Sequence, residues 1–118
     1  MSAEENKALI RRFAETVWNN KQVDALEEFH AAEFTLNGEP YTAARFKEQL
    51  QGFFVELPDL QNTIQDIIAE DDKVSYRWIM RSTNQATGKQ QVHRGITFNR
   101  IVDGRIVEDW YNSEAIEE

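Results

Sequence analysis

The sequence predicts an α+β domain in which three N-terminal helices pack on a curved antiparallel sheet. Apolar residues recur at helical spacing through the first half of the chain, and from Leu60 onward their period changes from 3.6 to 2. Asp103-Gly104, set between two alternating runs, is a hairpin signal that makes the last strands antiparallel neighbours. The 118 residues suffice for one domain and are too few for two ordinary ones, so residues 1–118 are read as a single domain.

The first helix opens on a capping box, Ser2 with Glu5 three residues on, and carries Leu9, Ile10, Phe13, Val17 and Trp18 at helical spacing. Asn19-Asn20-Lys21 interrupts it, and Val23 to Phe29 resumes the pattern as a second short helix, with His30 as a cation favourably placed at its C-terminus. Phe34-Thr35-Leu36 is a short strand, stopped by the turn residues Asn37-Gly38-Glu39-Pro40. Thr42 then caps a third helix whose one face carries Phe46, Leu50, Phe53 and Phe54, ending before Leu57-Pro58-Asp59. Leu60 to Ala69 is a strand in which the adjacent Ile67 and Ile68 mark either a bulge or burial on both faces. After the turn Glu70-Asp71-Asp72, Lys73 to Thr83 alternates cleanly, with Val74, Tyr76, Trp78 and Met80 on one face. Gln90 to Ile101 and Arg105 to Ser113 complete an antiparallel meander. Helices cover only one face of such a sheet, so its other face is expected to meet a second copy in a homodimer.

Composition narrows the chemistry. There is no cysteine, which removes disulfides, thiolate zinc sites and a thiol nucleophile together. With 13 Lys+Arg against 21 Asp+Glu the formal net charge is −8, and neither half of the chain is basic, so no phosphate-backbone binding is expected. No apolar run approaches the ~18 residues of a membrane span, and the acidic opening lacks the basic segment of a signal peptide. The expected setting is cytoplasmic, with neither membrane nor nucleic acid as a partner. Two His without acids at ligand spacing make no metal site.

Glu4 to Phe13, Trp18-Asn19-Asn20 and Val23-Asp24-Ala25-Leu26 resemble the start of SnoaL-like polyketide cyclase domains. The similarity continues through Leu57-Pro58-Asp59-Leu60, Asp66 to Val74, Tyr76-Arg77-Trp78, Arg94 to Arg100 and Asp103 to Trp110. The resemblance implies the cone-shaped fold shared with nuclear-transport-factor-2-like and ketosteroid-isomerase-like proteins, a fold that hosts many activities. It implies that the family's catalytic Asp falls at Tyr111 and its two catalytic His at Asp109 and Thr97. All three residue types are changed. By the same carry-over, Glu39-Pro40 lies near the place where the isomerases of this fold hold their base Asp.

Two classes of function follow. The first is a cofactor-independent cyclase or isomerase acting on a small apolar carbonyl compound by proton abstraction. Asp109 would be the base and Tyr111 the hydrogen-bond donor, on the same strand face, with His93 and Thr97 auxiliary. His93 shares strand parity with Thr97 and could shuttle protons, although a lone His of this kind is more often a hydrogen-bonded or rim residue. Trp78, Trp18 and Phe54 supply aromatic surface for core or cavity, and Glu39 is a further carboxylate for the ligand site. Trp110 has the opposite parity to Tyr111, so at least one of the two points away from the cavity. The alternative is a non-catalytic ligand-binding or dimeric assembly module of the same fold. Arg77, Arg81, Arg94 and Arg100 are expected to pair with acids such as Asp66 and Glu108 on the outer face of the sheet.

Overall fold

In the computed structural model, which describes residues 1–117, helix α1 (Ala3–Phe13) continues into a π-helical turn (Ala14–Asn19) and then a 3₁₀ helix (Val23–Glu28). Strands β1 (His30–Leu36) and β2 (Glu39–Thr42) form a hairpin, helix α2 (Ala43–Glu56) follows, and β3 (Gln61–Glu70), β4 (Lys73–Thr83), β5 (Gln90–Val102) and β6 (Arg105–Ile116) make the meander. The six strands lie in one sheet in the order β2-β1-β6-β5-β4-β3.

Local signals in the sequence account for most element ends. Ser2 accepts from the Glu5 amide while Glu5 accepts from the Ser2 amide, closing the capping box. Thr42 Oγ1 accepts from the Arg45 amide at 3.1 Å and starts α2. Asn37 and Gly38, and likewise Asp103 and Gly104, all have positive φ, as two-residue hairpin turns of the primed type require.

Three expectations are corrected. The sheet is mixed, because β1 runs parallel to β6, pairing Leu36 with Asp109 and Thr35 with Glu108. Periodicity within a strand carries no information about a partner over 70 residues away. Nor are there three N-terminal α-helices. The second is a single 3₁₀ segment of six residues, and the third lies after the first hairpin, between β2 and β3. Finally, His30 is the first residue of β1 and 1% exposed, rather than a cation at a helix end. The bulge in β3 falls between Ile64 and Asp66; Ile67 packs against the core and Ile68 is 71% exposed.

The core lies between the helices and the inner face of the sheet, where Leu9, Ile10, Val17, Leu26, Leu50 and Ile106 are buried. Each such side chain stabilises the fold by roughly 1.5–3 kcal/mol. The π-helical turn shifts the chain so that Asn19 clasps β3. Its Nδ2 donates to the Asn62 carbonyl at 2.9 Å, and its Oδ1 accepts from the Asn62 amide at 2.7 Å. Lys21 adds donations to the carbonyls of Asn19 and Leu60.

His30 is caged by the rings of Phe13, Phe34 and Phe46 at 4.9, 5.0 and 5.3 Å between centroids, and neither ring nitrogen has a partner. Burial pushes its pKa down to about 3, so the folded protein holds it neutral. The unfolded chain binds a proton there near pH 6.5, which makes stability fall as pH drops below that value. Urea unfolding at pH 7 and pH 4.5 checks this. Relative to His30→Leu, the wild-type chain loses about 2–3 kcal/mol over that interval; parallel behaviour of the two proteins refutes it.

Candidate functional site

Strand pairing on the inner face aligns side chains in rows across the sheet. One row runs Glu39, Leu36, Asp109, Asn99, Val74. The next holds Tyr111, Thr97 and Tyr76, followed by Ser113, Gly95 and Trp78, and then Ala115, His93 and Met80. Val74 and Asn99 have no exposed surface, and Thr97 and Trp78 are 6% and 7% exposed. Polar groups of β4, β5 and β6 are therefore gathered in a water-poor region.

Asp109 is the only carboxylate among the described residues whose pKa is driven strongly upward. Desolvation raises it to about 7, opposed by a hydrogen bond from the side chain of Asn99. Its Oδ1 is buried and has no partner. The backbone around it is held by Asn37 in the β1-β2 turn. The Asn37 amide donates to the Asp109 carbonyl at 2.8 Å, and Asn37 Oδ1 accepts from the Tyr111 amide at 2.8 Å. Between them Trp110 turns to the outer face and lies over Gly38, where an added Cβ would stand 3.2 Å from the indole.

Hydrogen bonds link Trp78, Thr97 and Tyr76 beside Asp109. The Trp78 indole, which can only donate, gives its Nε1–H to Thr97 Oγ1 at 2.9 Å. The Thr97 hydroxyl in turn serves Tyr76, whose phenol is pushed well above its ordinary range by burial first and by the charge of Asp109 second; the bond from Thr97 opposes both. Gly95 makes room for this arrangement: a Cβ there would lie 2.4 Å from Trp78 Cζ2 and 2.6 Å from the Asn112 carbonyl oxygen.

Asp109, Thr97 and Trp78 thus come together, joined by Tyr76 and Asn99, which the sequence reading did not single out as site residues. Tyr111 shares the row of Thr97 but is 43% exposed. His93 is half-buried and lies six residues along β5 from Asn99, roughly 20 Å away. Glu39 stands exposed on β2, two strands and roughly 10 Å from Asp109. Trp18 and Phe54 meet edge to face at 6.2 Å, both packed against the core, with Lys21 Nζ 5.6 Å from the centre of the Phe54 ring. Among the described residues no group of three or more His, Asp or Glu is placed to hold a metal ion, and no helix is long and apolar enough to cross a membrane.

The outer face carries Ile79, Ile96, Phe98 and Trp110 along a groove of about 1170 Å³. Ion pairs of both signs flank it: Arg77 with Asp66 at 2.5 Å, Arg94 with Glu114 at 2.6 Å, and Arg100 with Asp72 at 2.8 Å and Glu108 at 3.5 Å. Ile96 is 59% exposed.

The fold finds counterparts among solved structures. IdmH from Streptomyces antibioticus superposes with a TM-score of 0.83 at 24% identity, covering 92% of this chain and 91% of its own. A SnoaL-like polyketide cyclase from Agrobacterium tumefaciens gives 0.84 at 16% identity, with coverage of 97% and 93%. A protein of ketosteroid isomerase-like fold from Catenulispora acidiphila, in complex with trimethylamine, gives 0.76 at 16% identity, with coverage of 88% and 83%. No curated protein sequence matches the chain. The family model for SnoaL-like polyketide cyclases matches residues 8–116, and the chain belongs to that family.

Proposed function

We propose that this protein binds a small apolar carbonyl compound and catalyses a cofactor-independent cyclisation or isomerisation, beginning with proton abstraction beside the carbonyl. The observation that carries this reading is the Asp109 carboxyl, buried beside Asn99 with one oxygen unpartnered and a pKa lifted to about 7. A carboxylate so placed is a stronger base than one in water, and its pKa lies near neutral pH, where a general base works best.

Abstraction leaves negative charge on the carbonyl oxygen, which a fixed donor in a dry site stabilises most. Tyr76 supplies it. Its raised pKa keeps it protonated throughout. Tyr111, more exposed and on the same face, serves as lining at the open side. His93, Trp18, Phe54 and Glu39 stand farther off as candidate contacts for the rest of the ligand.

A second reading, a ligand-binding module without catalysis, is favoured by one observation. Thr97, at a position where the family's resemblance implies a catalytic His, has its hydroxyl committed to Trp78 and Tyr76. Saturable binding without proton exchange distinguishes it.

We also infer that two copies associate through the outer face of the sheet. The chain carries a net charge of −8, so copies repel over most of their surface, whereas this face is balanced by its Arg-acid pairs around an apolar centre. Sedimentation equilibrium at micromolar concentration should return a dimer that Ile96→Lys weakens; a wild-type monomer excludes the arrangement.

Catalysis is tested by following exchange of the α-protons of enolisable ketones in deuterated water by NMR. The rate rises with pH through about 7, since the base must be ionised. Asp109→Asn lowers it by at least about 10²-fold, and Tyr76→Phe by about 10–10³-fold without moving the midpoint of the pH profile. Exchange indifferent to Asp109→Asn eliminates the catalytic reading.

A further inference from the structure

Asn99 Oδ1 and Asp109 Oδ1 are both buried and both without a hydrogen-bond partner. They belong to residues directly opposed on β5 and β6, whose Cβ atoms are about 5 Å apart in such a pair. The orientation of the Asn99 amide is set by its donor side. Nδ2 gives one proton to the Glu108 carbonyl at 3.3 Å and serves the Asp109 carboxyl with the other. Oδ1 is left as a pure acceptor, facing the same need as Asp109 Oδ1.

A buried acceptor without a donor costs roughly 1–3 kcal/mol, and native proteins leave few of them. The remaining unpartnered buried groups among the described residues, Asn6 Oδ1, Asn62 Oδ1 and the His30 ring, stand singly on separate elements. Only at Asn99 and Asp109 do two such oxygens belong to paired side chains. With Asp109 ionised, as a base must be, and the Tyr76 phenol assigned above to the ligand's carbonyl oxygen, the other nearby side-chain donors are engaged: the Trp78 indole by Thr97, and the Arg100 guanidinium by Asp72 and Glu108 on the outer face.

We infer that the ligand brings the missing donor: a hydroxyl or N–H group, carried close to its carbonyl, that gives its hydrogen to Asn99 Oδ1 and Asp109 Oδ1. The substrate class is then a hydroxy- or amino-substituted carbonyl compound rather than a plain ketone. This deepens the reading of Asp109 as the base and rests on it for the location of the site. A site built of acceptors rejects analogues that lack the donor far more strongly than an apolar pocket rejects a change of size.

The test uses 1-tetralone, 2-hydroxy-1-tetralone and 2-methoxy-1-tetralone, with affinities read from shifts of backbone amide resonances. The hydroxy compound binds at least about tenfold tighter than the parent, and the methoxy compound, which adds only another acceptor, binds no tighter than the parent. In Asn99→Leu the ratio of hydroxy to parent affinity shrinks to within about twofold, whatever the change in either affinity alone. The wild-type series decides alone if that variant does not fold. Equal affinity for all three, binding by none at millimolar concentration, or a preference that survives Asn99→Leu overturns the inference. So does a high-resolution structure of the hydroxy compound's complex in which an ordered water alone bridges the two oxygens. Failure of the base reading is separable, because a hydroxyl preference without deuterium exchange removes the base and keeps the donor requirement.

Discussion

The site depends on β6 lying between β1 and β5. A carboxylate on an edge strand keeps water on one flank and an ordinary pKa. Asp109 has Leu36 on one side and Asn99 on the other in the same row, with Val74 beyond, so its charge loses hydration from both directions. That position is created by the parallel contact between β1 and β6, which also closes the sheet over the core beneath α1 and brings Ile106 against His30. The topology that makes the sheet mixed is the one that makes Asp109 unusual.

Two buried titratable groups give opposite pH dependences. His30, held neutral, costs stability as pH falls below about 6.5. Asp109, whose folded pKa lies above its unfolded value of roughly 4, contributes stability at low pH that is lost as pH rises toward about 7. Across the interval from about 4 to 6.5 the two slopes oppose one another. A chain that looks indifferent to pH there contains two strong, cancelling dependences, each visible only when the other is removed.

Much of this was legible in the sequence. The capping box at Ser2, the cap at Thr42, the alternation of Lys73 to Thr83 and the Asp103-Gly104 hairpin are local signals, and each appears where the residues indicate. Parity carried Asp109, Thr97 and Trp78 to one face because side-chain direction alternates strictly along a strand. What was not legible is long-range. The parallel pairing of β1 and the burial of His30 depend on partners far along the chain, and a run as short as Val23 to Glu28 does not distinguish an α-helix from a 3₁₀ segment. Tyr76 and Asn99 had the right parity. Their importance arises from which neighbours they meet across the sheet, Thr97 for one and Asp109 for the other, and no single strand reveals that.

The clasp of Asn37 on β6 has a consequence for motion. The backbone carbonyl of Asp109 and the amide of Tyr111 are both held by one residue of a two-residue turn, in a hairpin whose outer strand is four residues long and lies at the sheet edge. Such hairpins open by local fluctuation at far less free energy than global unfolding requires. The most desolvated carboxylate among the described residues is therefore anchored to a hairpin at the sheet edge. Opening of that hairpin would release the backbone on either side of Trp110 while leaving the meander and the helical core intact.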